Sequence, residues 1–354
     1  MLDLYQEAKE SFGTSKNGEA VSVYLLQNKN GMKVRVTDYG ASLVSIIVPD
    51  KNGNLTDVLL GYDNVTGYET NTCYFGAVIG RNGNRIANAQ LTINGTVYSL
   101  DQNDNENNLH SGEKGMDAKV WDVKQTTDAS ITLTCKSADR EQGFPGNMDA
   151  QVTYTLTDDN TVEIHYEAIC DQDTVANFTN HAYFNLSGHA SGDVLGQELM
   201  LRASHFTPVT DAKAIPTGEI APVAGTPMDF TTAKTIGRDI ASEDIQIGYG
   251  GGFDHNFVLD KTEQGAFELM AQAYAPDTGI EMKAYTDLPG VQFYSGNFVT
   301  EQEGKQGAVY GKRHGFCLES QYFPNSVNEP GFASPILKAG EVYRTKTCFQ
   351  FGVR

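Results

Sequence analysis

Strict period-two alternation of apolar and polar residues, broken at short intervals by turn-forming clusters, is the feature that most constrains this chain. In Lys33-Val-Arg-Val-Thr37 the two valines share one face. In Thr161-Val-Glu-Ile-His-Tyr-Glu-Ala168, Val162, Ile164 and Tyr166 point one way and Glu163, His165 and Glu167 the other. Glu341–Phe351 alternates in the same manner. Successive side chains of a strand face opposite sides of a sheet, so these runs read as strands with one face buried. Asn94-Gly95, between Leu91-Thr-Ile and Thr-Val-Tyr98, predicts a type I′ hairpin, because both residues accept the positive φ it requires. Asp158-Asp159-Asn160 and Asp277-Thr-Gly279 mark two further hairpin turns. Helical patterns are few and short, with Thr231–Ala241 the best of them. Packed antiparallel sheets follow: an all-β fold, a large antiparallel β-sandwich. No linker, low-complexity tract or repeat interrupts residues 1–354, so they read as a single domain.

Charge narrows the partners. A net charge of −19 repels phosphate backbones and anionic lipid, which argues against nucleic-acid and membrane-surface roles. The N-terminal Met1–Glu10 is too charged for a signal-peptide core, and no apolar run approaches a membrane span of about 20 residues. The five cysteines, Cys73, Cys135, Cys170, Cys317 and Cys348, are scattered and never in a C-x-x-C pair. That usage fits buried, reduced thiols in a cytoplasmic protein.

Three polar clusters sit among apolar or glycine-rich neighbours. Phe75-Gly-Ala-Val-Ile-Gly-Arg-Asn-Gly-Asn-Arg-Ile86 runs from a buried-looking strand into a turn presenting Arg81, Asn84 and Arg85. From pattern alone it is an ordinary loop with solvated arginines, and it matches no phosphate-cradling motif. Asn107-Asn-Leu-His-Ser-Gly112 and Asn177-Phe-Thr-Asn-His-Ala-Tyr-Phe-Asn185 each flank a histidine with amides and apolar residues. Such sets suit convergence on hydroxyls; a metal site competes, but neither H-E-x-x-H nor a Cys/His spacing is present. Gly250–Phe257, Pro289–Gly296 and Gly315–Gln321 contribute Asp254, Gln292 and Glu319. Asp254 also reads as a turn-forming residue bonded to nearby backbone. Glu319, beside Phe316, Cys317 and Leu318, is either a paired structural charge or a catalytic one. One candidate base, two candidate acids (His181 and His110), amides and aromatics make a sugar-binding set with no nucleophile elbow.

The ordered set of Phe75-Gly-Ala-Val-Ile-Gly-Arg with Asn84-Arg-Ile, Asn108-Leu-His-Ser-Gly, Asn177-Phe-Thr-Asn-His-Ala-Tyr-Phe-Asn-Leu, Ile215-Pro-Thr-Gly-Glu, Gly252-Phe-Asp-His-Asn-Phe, Gly290-Val-Gln-Phe-Tyr-Ser-Gly-Asn and Gly315-Phe-Cys-Leu-Glu resembles the galactose mutarotase (aldose 1-epimerase) family. The resemblance runs from about Tyr24 to the C-terminus. It implies a β-supersandwich with the sugar in an open cleft, His181 as general acid and Glu319 as general base. It implies contacts from Asn84, Arg85, His110, Asp254 and Gln292 to sugar hydroxyls or the ring oxygen. It further implies interconversion of the α and β anomers of free hexoses such as galactose and glucose, with neither metal nor other cofactor. Two segments depart from the family pattern. Asn82-Gly83 stands where a small apolar pair is usual, which predicts a looser turn. Lys312-Arg-His-Gly315 is unusual, and His314 reads either as a residue approaching the site or, by preference, as a solvated loop residue.

Three rivals stand beside this reading. A hexose-6-phosphate epimerase needs clustered arginines, for which Arg81, Arg85 and Arg313 are available. A non-catalytic carbohydrate-binding module has no need of both Glu319 and His181. A glycoside hydrolase or lyase normally pairs two carboxylates, whereas the partner of Glu319 here is a histidine.

Overall fold

The computed structural model describes residues 6–70 and 72–354. Its largest sheet has nine strands, ordered Asp122–Thr126, Ser130–Ser137, Met148–Leu156, Thr161–Cys170, Val342–Val353, Ile280–Thr286, Glu268–Tyr274, Glu198–Leu201 and Lys234–Thr235. Every pairing in it is antiparallel. Along Thr161–Cys170, Val162, Ile164, Tyr166 and Ala168 are buried, while Glu163, His165 and Glu167 are partly exposed. The three turns behave as their chemistry dictates. Ile93 pairs with Thr96 across Asn94 and Gly95, whose φ values are 51° and 78°. Asn160 and Gly279 supply the positive φ, 61° and 72°, of the other two.

A second sheet of five strands, Ala221–Pro222, His205–Phe206, Asp254–Val258, Gly290–Tyr294 and Cys317–Gln321, packs one face on the core. Phe253 and Phe230 lie 5.3 Å from Phe293, and Phe184 lies 4.8 Å from Phe349 of the large sheet. Truncating any one of these rings to alanine costs about 3–5 kcal/mol. A third sheet, also of five strands, is built from Lys9 to Asp57. Among the described residues no helix is long and apolar enough to cross a membrane.

The expected helix at Thr231–Ala241 does not form. Lys234–Thr235 instead pairs with Glu198–Leu199 at the edge of the large sheet. The Lys234 ammonium donates to the Pro227 carbonyl and to Asp239 Oδ2, both at 2.7 Å, which folds the segment into turns. Threonines and Gly237 give a helix little intrinsic support, and an unpaired sheet edge is the better partner. The two α-helices among the described residues are Val65–Thr70 and Ile245–Gly250. The second is capped by Asp244, which accepts the Gln246 N–H at 2.8 Å, and ends at Gly251 with φ 62°.

Candidate active site

Period-two geometry decides which side chains leave the core. On the three adjacent strands of the second sheet, Phe257, Val291, Phe293 and Leu318 join the apolar cluster. Their neighbours in sequence therefore face the other way. Register then aligns them across the sheet: Gln292 opposite both Asn256 and Glu319, and Asp254 opposite Tyr294. Gln292 donates to Asp254 Oδ1 at 2.8 Å, so Asp254 opens a strand and faces its neighbour rather than closing a turn.

His181 comes from a segment stitched into this floor on both sides. Its N–H donates to the Ala77 carbonyl and its carbonyl accepts from Gly76, both at 2.9 Å. Phe184, three residues on, exchanges backbone hydrogen bonds with Phe316, three residues before Glu319. The wall opposite is the paired Arg85–Ile86 and Asn108–Leu109. Asn84, His110 and Ser111 take φ values of 63°, 51° and 72°, a left-handed conformation that non-glycine residues hold only when their surroundings enforce it. The enforcement is visible. The His110 N–H donates to the Asn84 carbonyl, and the Asn84 N–H donates to His110 Nδ1, both at 3.1 Å.

All seven residues singled out in the sequence, Asn84, Arg85, His110, His181, Asp254, Gln292 and Glu319, line one cavity of about 240 Å³. His181 Nε2 lies 3.6 Å from Glu319 Oε2, and the two residues are 5% and 2% exposed. That separation is too long for a hydrogen bond, and Oε2 has no hydrogen-bond partner among the described residues. A buried carboxylate oxygen left unpartnered beside an imidazole and an open space is arranged for a ligand.

Burial governs the titration of these groups. It drives His181 down to about 4, with the ring's own backbone carbonyl acting weakly in the opposite sense. It pushes Glu319 well above the usual carboxylate range, reinforced by the negative charge of Asp254 and opposed by Arg85. It raises Asp254 as well, against the pull of Arg85 and the Gln292 hydrogen bond. His110 falls well below 6.5 through burial, with His181 and Arg85 adding to the effect. Low-dielectric surroundings thus favour the neutral forms of both members of the His181–Glu319 pair.

One nitrogen each of His110 and His181 and an oxygen of Glu319 lie within 4.8 Å of one another, a grouping that invites comparison with a metal centre. The donor set does not fit one. The Asn84 N–H occupies His110 Nδ1, which leaves the proton of the neutral ring on Nε2. His110 is then a hydrogen-bond donor with no lone pair to offer.

Several expectations require correction. Arg81 is not a solvated loop arginine: it is 2% exposed, and its guanidinium donates to Ser137, Ala138, Pro145, Gly146 and Thr174. Arg313 donates to the Gly251 carbonyl at 2.9 Å, away from the cavity. Only Arg85 of the three lines the cavity, and its Nε is paired with Asp104 at 2.7 Å. The Asn82-Gly83 turn is not loose. Asn82 is buried, donates its N–H to Ser111 Oγ at 2.8 Å and its side-chain amide to Gly83 at 2.9 Å. His314 is half-buried and does not line the cavity. Four of the five cysteines are buried, while Cys73 is partly exposed and lines the cavity.

The aromatic walls were missed. Tyr74 and Tyr183 sandwich the His181 ring, at 5.7 Å and 5.1 Å and within about 30° of parallel, and Tyr294 meets it edge-on at 6.5 Å. Tyr183 and Tyr294 lie two residues beyond His181 and Gln292, so the alternation itself could have found them.

Comparison with known proteins gives the family and the fold. Residues 22–350 match the family model for aldose 1-epimerase. The chain is 38% identical to galactose mutarotase from Sus scrofa over 343 residues, 97% of each chain. It is 36% identical to aldose 1-epimerase from Escherichia coli K12, over 97% of this chain and 98% of that one. Among solved structures, an aldose epimerase homologue from C. elegans superposes with a TM-score of 0.86 at 28% identity, covering 94% of this chain and 98% of its own. Galactose 1-epimerase from Lactobacillus acidophilus does so with a TM-score of 0.83 at 26% identity, covering 98% of both.

Proposed function

This chain belongs to the aldose 1-epimerase family, and from that premise we propose that Glu319 and His181 divide between them the two proton transfers of sugar ring opening. The protein is an isomerase that exchanges the anomers of an aldose. Our reading adds the roles of its residues and its substrate, free galactose or glucose. The observation that carries the roles is the buried pair itself, separated by 3.6 Å with Glu319 Oε2 unpartnered.

Ring opening removes a proton from the C1 hydroxyl and adds one to the ring oxygen, breaking the bond between C1 and that oxygen. Glu319 takes the first proton and His181 supplies the second. Rotation about C1–C2 presents the other face of the carbonyl, and the transfers run backward to close the opposite anomer. The step converts imidazolium and carboxylate into imidazole and carboxylic acid, with no change in the protons the pair and sugar hold together. Burial favours those neutral forms, so the dry cavity stabilises the pair in the ring-open state. His110, with its proton fixed on Nε2, donates to a sugar oxygen throughout. Asp254, Gln292, Asn84 and Arg85 hold the hydroxyls so that both transfers occur at hydrogen-bond distance. The absence of a disulfide among the five cysteines supports a reducing, cytoplasmic setting.

Polarimetry tests the activity directly. Catalytic amounts of protein should accelerate the rotation decay of fresh α-D-galactose without added cofactor; a decay no faster than in buffer would leave only a sugar-binding module. Galactose 6-phosphate should have a kcat/KM at least about tenfold lower, since one paired guanidinium amid Asp254, Asp104 and Glu319 offers a phosphate little. Comparable values for the two sugars would revive the phosphosugar reading.

The titration shifts give a pH profile. Because His181 is lowered to about 4 and Glu319 is raised, the pair holds one proton between the two titrations. A second proton joins only as pH falls toward 4, and the last leaves only above the ordinary carboxylate range. The kcat/KM profile should therefore have its acid limb near pH 4, with any basic limb above the ordinary carboxylate range. An acid limb centred near the ordinary histidine value of ~6.5 would refute the assignment.

A further inference from the structure

His181 presents two nitrogens to two different groups, and one strand supplies both. Nε2 faces Glu319 Oε2, which is buried, lines the cavity and has no hydrogen-bond partner among the described residues. Nδ1 lies 3.5 Å from the sulfur of Cys317, two residues earlier on Cys317–Gln321 and so on the same face. This is the one side-chain hydrogen bond of His181 among the described residues. The Tyr74 and Tyr183 rings fix the plane of the imidazole. Stacking leaves the ring free to turn within that plane and indifferent to which nitrogen carries the proton.

We propose that Cys317 is a positioning residue: its sulfur accepts the Nδ1–H of His181, so that the proton exchanged with the sugar is always the one on Nε2. The inference rests on His181 being the acid. An acid that gives up its Nε2 proton becomes a neutral ring with its remaining proton on Nδ1, and that proton needs an acceptor in both states. The carbonyl of residue 181, which raises the ring's pKa against burial, can only accept. Burial keeps the thiol well above its usual range, protonated and uncharged. An uncharged sulfur orients the ring without holding it as imidazolium, as a carboxylate in that place would. Cys317 does not line the cavity, so this role leaves sugar binding alone.

Ring-¹⁵N histidine labelling of the full chain near neutral pH, with Cys317→Ser, Cys317→Ala and His181→Asn variants, tests the proposal. His181→Asn assigns the resonance by deleting it. Wild type and Cys317→Ser should show His181 protonated on Nδ1 and protected from solvent exchange. Cys317→Ala should lose that protection and lower kcat about tenfold, with KM within about twofold of wild type. Cys317→Ser should recover kcat to within about threefold. A wild-type ring protonated on Nε2 would overturn the proposal with no variant needed, and so would Cys317→Ala at full kcat with an unchanged resonance. The parent reading fails separately: wild-type turnover by His181→Asn removes the acid itself, whereas inactive His181→Asn beside fully active Cys317→Ala removes only the role of the sulfur.

Discussion

Glu319→Gln and His181→Asn are each expected to lower kcat for galactose mutarotation by about 10²-fold or more, a loss of about 2.7 kcal/mol of transition-state stabilisation or greater. Gln keeps the shape of Glu319 and still hydrogen-bonds a hydroxyl, but it cannot take the proton. Asn likewise keeps a polar group near the position of the His181 ring and cannot give one. The sugar contacts proposed for Asn84, Arg85, Asp254 and Gln292 are untouched by either change, so KM should move far less than kcat. The two losses should not add, because opening the ring needs both transfers in one event; the double variant should be little slower than the worse single one. The check is polarimetric decay at saturating galactose on variants shown to be folded. Wild-type turnover in either variant would remove that residue from the chemistry.

What could be read from the sequence divides by range. Local facts were legible: alternation along Thr161–Cys170, and a positive-φ turn at Asn94-Gly95, depend on residues a few positions apart. The seven site residues were legible as a set through their ordered motifs, not through any rule of spacing. Facts that depend on which strands lie side by side were not. Gln292 meets Glu319 because two strands 27 positions out of step pair in one register, and no periodicity along either strand encodes that choice. Thr231–Ala241 was misread because its partner, Glu198–Leu199, lies far upstream and an edge strand overrides a weak helical pattern. Cys317 and Tyr183 sit two residues from Glu319 and His181, and the alternation points at both once those anchors are known.

Arg81 is the costliest misreading, and its replacement by Met should destabilise the protein by about 3–5 kcal/mol. The sequence puts it in a glycine-punctuated turn, where arginines are usually solvated. The fold instead threads its guanidinium into the loop between Ser130–Ser137 and Met148–Leu156. Nε donates to Ser137 Oγ at 3.0 Å, Nη1 to Pro145 O at 2.7 Å, and Nη2 to the carbonyls of Ala138 and Gly146 at 2.9 and 2.7 Å. Backbone carbonyls pointing inward at one place would be uncompensated without that fork of donors. Met fills the volume and satisfies none of them, leaving buried acceptors at about 1–3 kcal/mol each before relaxation. Lys restores the charge but not the planar geometry, and should recover only part of the loss. The effect also reaches the cavity, because the Arg81 carbonyl accepts the Asn177 N–H and the same turn continues into Asn84 and Arg85. Sugar affinity should therefore weaken in Arg81→Lys at temperatures where it is folded, with kcat less affected than KM. Denaturant unfolding measures the first effect and mutarotation kinetics the second. A Met variant within about 1 kcal/mol of wild type would mean that the loop satisfies its own carbonyls and that Arg81 is not the clamp holding this wall of the site.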